Sequence, residues 1–157
     1  MLQSFARWRD SAAVILGVGN ALKGDDAVGP LVCERLAGNV SATVIDAGTA
    51  PENYIRPILQ AGPQVLLIVD AVDFGGTAGE IRLFEPERIR RFGFSTHAAS
   101  LHPFIDLLRR EIELDVHLIG VQAARTRLGD RPSPAIQTAA DTLVQTLAEL
   151  FQPPRQH

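Results

Sequence analysis

Two stretches of this chain, Ala13-Val14-Ile15-Leu16-Gly17-Val18 and Val65-Leu66-Leu67-Ile68-Val69, are apolar at every position, and nothing else in the sequence restricts the fold as strongly. A strand with one wet face alternates apolar and polar residues, so an unbroken apolar run of this length is a strand covered on both sides, as in a parallel sheet. Each run is followed by a glycine-rich turn. After the first come Gly19 to Gly29 and then Pro30, with Val28, Leu31, Val32 and Leu36 at helical spacing and proline suited to a first turn. The unit recurs: Thr43-Val44-Ile45 leads through Asp46-Ala47-Gly48 to a short helix carrying Tyr54, Ile55, Ile58 and Leu59, and Val116 to Val121 forms the last strand.

Other segments complete the pattern. Glu80 to Phe84 alternates Ile81 and Leu83 against Arg82, which predicts a strand with one wetter face at or near a sheet edge. Leu101, Phe104, Ile105, Leu108 and Ile112 follow a 3.6-residue period, predicting a helix over roughly Ala98 to Glu113 that begins immediately after Thr96-His97. Ser133-Pro134 suits a helix start, with serine as cap, and the stripe continues through Ile136, Ala139, Ala140, Leu143, Leu147 and Leu150. Strands alternating with helices imply a three-layer α/β/α sandwich. Right-handed crossovers then gather the loops after successive parallel strands along one sheet edge, where ligand sites in such folds lie.

A chain of 157 residues, 46% apolar, fills one core, so residues 1–157 are read as a single domain with a flexible polar leader (1–11) and a flexible proline-rich tail (152–157). The formal charge of −3 supplies no overall basic field for nucleic acid. Cys33 is the only cysteine, which excludes an internal disulfide and a thiolate zinc site and is compatible with a reducing compartment. Ala12 to Val18 is too short for membrane insertion and lacks a cleavage pattern behind it, so a cytoplasmic, soluble protein is expected.

Three residues stand out as chemical candidates. Asp70 ends an otherwise apolar strand, where a charge is costly unless it is solvated, paired or bound to a cation. Asp26 lies beside the first helix start, where a carboxylate also serves as a cap or complements the dipole. His97 precedes a helix. Two acids and an imidazole gathered at one sheet edge form an N,O ligand set for a divalent ion with positions left open. The 17–30 loop is also a candidate phosphate cradle, but it lacks the full G-x-G-x-x-G spacing and the G-K-[ST] ending, and its paired acids would repel phosphate. Cys33 falls in a helix stripe and reads as packing, His102 and His117 have little support, and Ser95, Thr96 and Ser100 lack a nucleophile elbow.

Taken in order, five segments resemble the hydrogenase maturation endopeptidase family, especially members serving hydrogenases of the formate hydrogenlyase type. They are GVGNALKGDDAVGP (17–30), DAGTAPEN (46–53), LLIVDAVDFGGTAGEIR (66–82), STH (95–97) and HLIGVQ (117–122). The resemblance implies a mixed, mostly parallel five-stranded sheet. It further implies an aspartic-type endopeptidase that removes a C-terminal extension from the [NiFe] hydrogenase large-subunit precursor after nickel insertion. Asp26, Asp70 and His97 match the family's metal-contacting positions, and the resemblance implies that they engage nickel carried by the substrate, so no permanently bound metal is expected and the chain is expected to act as a monomer. Ala47 and Ala98 depart from residues common in relatives, which bears on loop shape and substrate preference. Two other readings stay open: a nucleotide-binding doubly wound regulatory domain, and a self-sufficient metal-dependent amidohydrolase.

Overall fold

The two apolar runs become two of the three central strands of one five-stranded sheet. In the computed structural model, which describes residues 2–88 and 98–153, the strands are β1 (Ala13–Gly17), β2 (Thr43–Asp46), β3 (Val65–Val72), β4 (Ile81–Phe84) and β5 (Asp115–Gln122). Their order is β2-β1-β3-β5-β4. All neighbours pair in parallel except β4, which runs antiparallel to β5 at the edge. Its position explains its alternation: Arg82 is exposed while Ile81 and Leu83 are half-buried. Every residue of β1 and β3 is buried, as two covered faces require.

Helices cover both faces. On one, Ile15, Leu67, Val69 and Val121 pack against α2 (Val28–Leu36) and α5 (Pro134–Leu150) through Val32, Leu36, Leu143 and Leu147. On the other, Val14, Leu16, Leu66, Ile68 and Leu118 meet α3 (Ile55–Ala61) and α4 (Ala98–Glu111) through Ile58, Leu101, Ile105 and Leu108. Each fully buried aliphatic side chain of this kind contributes about 1.5–3 kcal/mol relative to exposure. The sheet is thus the middle of a three-layer α/β/α sandwich, as the alternation of elements predicts.

Two expectations change. The leader is not a polar flexible arm: α1 (Leu2–Phe5) and a 3₁₀ turn (Ala6–Trp8) place Phe5 and Trp8 in the core. Their rings stack 5.5 Å apart, and the Trp8 indole N–H donates to Asp115 Oδ2 at 3.2 Å. Of the tail, Gln152 and Pro153 are exposed, and residues 154–157 lie outside the described residues. The second change concerns Ser133, which occupies the cap position of α5 but makes no side-chain cap hydrogen bond. Among the described residues no helix is long and apolar enough to cross a membrane.

Candidate active site

β1 ends at Gly17 opposite Val69, and β3 runs on through Asp70 to Val72. Asp70 is fully buried in the even-numbered register of β3, the side on which Leu66, Ile68 and Val72 pack with α4. Asp26 sits on a 3₁₀ turn (Gly24–Ala27) that contacts β3 and runs directly into α2. The junction is tight. A Cβ at Gly29 would lie 2.5 Å from both the Val18 and Val69 carbonyl oxygens, and the Val18 N–H donates to Val69 O at 2.9 Å. Glycine there lets the start of α2 settle onto Val18 and Val69, which brings the turn holding Asp26 against β3. His97 is one residue before α4, which packs on the Asp70 face, and itself lies outside the described residues.

The two neighbouring acids of the turn have opposite situations. Asp25 is fully buried, and both of its carboxylate oxygens are occupied: Oδ2 accepts the N–H groups of Ala124 at 2.7 Å and Arg125 at 3.0 Å, and Oδ1 accepts that of Ser133 at 2.7 Å. Burial alone would raise its pKa, but the N–H donors from Ser133, Arg125 and Ala124 outweigh it and hold the carboxyl below its ordinary value. Asp25 is therefore a clamp tying the turn to the loop after β5. Asp26 retains access to solvent, 8% exposed. Its Oδ2 accepts the Asn20 N–H at 2.8 Å, which orients the carboxylate, and among the described residues its other oxygen accepts no hydrogen bond.

The loop before this turn is not arranged as a phosphate cradle. Such a site needs backbone N–H groups aimed outward at the anion. From Gly19 to Asp26, every N–H except that of Ala21 is already donated inside the protein. Gly19 gives to Gly48 O, Asn20 to Asp26 Oδ2, Leu22 to Asn20 Oδ1, and Lys23 to Asn20 O. Gly24, Asp25 and Asp26 donate to the carbonyls of Asp130, Arg125 and Lys23. Gly19 itself has φ 145°, and a Cβ on it would collide with the Asp26 carbonyl oxygen.

Gln122, at the carboxyl end of β5, organises the loop after β3. Its Oε1 accepts the Phe74 and Gly76 N–H groups at 2.9 and 3.1 Å, and its amide donates to Asp73 Oδ1 at 3.1 Å. That bond, with the Gly75 N–H, holds exposed Asp73 below its ordinary pKa. Asp46 ends β2 in an Asx turn, its Oδ1 accepting the Gly48 N–H at 3.0 Å, so it shapes the neighbouring loop. Cys33 is buried with Sγ 3.4 Å from Ile45 O; burial, then the charge of Asp46, pushes its thiol up to about 12, which excludes it as a nucleophile near neutral pH. His117 is toward the opposite end of β5, 2.7 Å from Asp115 Oδ1 and with its ring tilted against Trp8 at 4.7 Å. His102 lies on α4 and borders a cavity of about 240 Å³ with Glu87, Asp106 and Arg109.

Asp25 and Gln122 were not singled out by the sequence. For Gln122 the signal existed, a polar residue ending an apolar strand, as at Asp70. For Asp25 none did, because its partners lie 99 to 108 residues away.

A mixed five-stranded sheet between two helix layers defines the chain as an α/β/α sandwich protein. Comparison with known proteins gives the particular family. Residues 30–150 match the family model described as "Hydrogenase maturation protease". The chain is 39% identical over 137 residues to the hydrogenase 3 maturation protease of Escherichia coli strain K12, covering 85% of this chain and 87% of the relative. It superposes on the crystal structure of the [NiFe] hydrogenase maturation protease HycI from Thermococcus kodakarensis with a TM-score of 0.82 at 34% identity, covering 89% and 92% of the two chains. The solution structure of the endopeptidase HycI from Escherichia coli matches with a TM-score of 0.78 at 39% identity, covering 88% and 90%. The chain belongs to the hydrogenase maturation protease family and is a peptide-bond hydrolase.

Proposed function

We propose that this protein is a cytoplasmic endopeptidase that removes the C-terminal extension of a [NiFe] hydrogenase large-subunit precursor once nickel has been inserted, and that Asp26, Asp70 and His97 contact the nickel held by that substrate. The observation that carries the reading is the turn bearing Asp26 packed against β3, the strand in which Asp70 is buried, in a chain of this family. Asp26 is oriented by the Asn20 N–H while its other oxygen takes no hydrogen bond among the described residues, as a group that receives a metal from outside requires. Asp70 is fully buried within β3, two residues before the strand ends. Carboxylate and imidazole donors suit a divalent first-row metal and leave its remaining positions to the substrate. The substrate's nickel then positions the scissile bond at the rim and polarises its carbonyl or a water. Nickel thereby acts as a checkpoint, with no metal permanently bound to the enzyme.

The test is incubation of the purified protein with nickel-loaded and nickel-free precursor, with cleavage read by mass spectrometry. Cleavage of the loaded form alone is expected. Asp26→Ala, Asp70→Ala and His97→Ala should each lower processing at least about 100-fold, with the circular dichroism spectrum retained. Equal cleavage of both precursors would remove the checkpoint, and normal processing by all three variants would remove the site.

A further inference from the structure

Beside Asp26 the surface carries an unusual combination of groups. The segment Asn20 to Gly24 and the loop Ala124 to Arg131 are stitched together by backbone hydrogen bonds. Gly129 N–H donates to Leu22 O at 2.8 Å, Gly24 N–H to Asp130 O at 3.0 Å, and Asp25 N–H to Arg125 O at 2.6 Å. The buried Asp25 carboxylate reinforces the seam from below through the N–H groups of Ala124, Arg125 and Ser133. Leu22 and Leu128 project from this seam 68% and 70% exposed, the two most exposed large apolar side chains among the described residues. Around them Lys23, Arg125, Arg127 and Arg131 are all exposed, and none has an ion pair among the described residues.

Neither feature serves the stability of this chain. An exposed leucine gains nothing from its own fold, and a cluster of like charges repels itself. The basic lip also runs against the chain's formal charge of −3. A partner supplying apolar contact and negative charge would satisfy both. Hydrogen bonds that already fix the two loops reduce the ordering cost of binding. We infer that this leucine-tipped basic lip is where the protease grips its protein substrate, through an acidic stretch of the precursor polypeptide that also carries apolar side chains. The inference rests on the proposed function for the identity of the partner. It adds a docking contact distinct from the acids at the rim, and because Asp25 belongs to the seam and Asp26 follows it, a chain held on the lip is delivered beside Asp26.

Binding and cleavage are measured separately with nickel-loaded precursor. The dissociation constant is determined by biolayer interferometry for the wild-type protein, for R125E/R127E and for L22S/L128S. Both variants should bind at least about tenfold more weakly, and the charge-reversed one should lose most of the weakening that added salt produces in the wild type. The leucine variant leaves the charges untouched, so a fold perturbed by reversal would not decide the outcome. A photo-crosslinking amino acid in place of Leu128 should capture a precursor segment rich in Asp and Glu. Unchanged affinity in both variants overturns the inference, as does a crosslink to a neutral or basic segment or to a second copy of this chain. Should the wild type bind the precursor through the lip without cutting it, the proposed function fails and the docking surface stands; should it cut while both variants bind normally, the reverse holds.

Discussion

Replacing Asp25 with alanine removes the acceptor for three backbone N–H groups at once, and the structure allows the cost to be divided. The Ser133 N–H bond is buried, so that donor is left without a partner at a cost of about 1–3 kcal/mol. The Ala124 and Arg125 bonds are only partly buried, water can replace the carboxylate, and each loses about 0.5–1.5 kcal/mol. Together the expected loss is about 2–6 kcal/mol, centred on about 4, which for a chain of this size is a fall in Tm on the order of 10 °C. Urea unfolding followed by circular dichroism measures it. The pH dependence gives an independent check. The folded-state pKa of Asp25 lies below its ordinary value, so its stabilisation is fully present above the unfolded pKa of about 3.9 and is lost as pH falls through the folded value. The gap between wild type and Asp25→Ala should therefore be full at neutral pH and close on acidification. A loss below about 1 kcal/mol at neutral pH, or a gap that stays constant from about pH 5 down to about pH 2, would refute the clamp.

Three further outcomes follow from the geometry. Gly19→Ala forces a Cβ into the Asp26 carbonyl at a left-handed φ, so it should displace the Asp26 turn and reduce precursor processing about tenfold or more, whereas processing at the wild-type rate would show that the loop can yield. Gln122→Glu removes the amide donor to Asp73 and sets a second negative charge beside it, so the Asp73 carboxyl should titrate above its wild-type value in an NMR pH series; no upward shift would mean that Gln122 does not set it. Trp8→Ala empties a core position that also holds the Asp115 bond, and should cost about 3–5 kcal/mol in urea unfolding, where a polar arm would cost almost nothing.

The central strands were legible because burial on two faces leaves a direct mark on composition, and the edge position of β4 was legible because one wet face leaves another. α1 was not. Phe5 and Trp8 stand in a short stretch that mixes them with Gln3, Ser4, Arg7, Arg9 and Asp10, and Trp8 is held by the start of β5, more than a hundred residues away, where Asp115 receives the indole N–H. The same distance concealed the division of labour in the Asp25-Asp26 step. Side by side in sequence the two carboxylates are equivalent, and only the N–H groups delivered by the loop after β5 show that the first is consumed by the backbone. Ser133 illustrates the converse: the helix start was readable from Ser133-Pro134, but its N–H serves Asp25 and its hydroxyl makes no cap bond. Asp26 lies on the turn before α2, Asp70 lies within β3 instead of ending it because the ladder with β5 continues to Val72, and the expectation for His97 lies outside the described residues.

The stretch from Asn20 to Lys23 is suspended between two fixed posts, Gly19 bonded to Gly48 and crowded against Asp26, and Gly24 bonded to Asp130. Its span is therefore set even where its side chains are free to vary. Deleting one residue would shift the frame by a step and offer Asp26 to the donors that now hold Asp25, whereas inserting one would set Gly24 before those donors and carry Asp25 toward the place of Asp26. Spacing in this loop is a tighter constraint than chemistry, and lengthening it by a single glycine would disable the enzyme more surely than most replacements of the residues it contains.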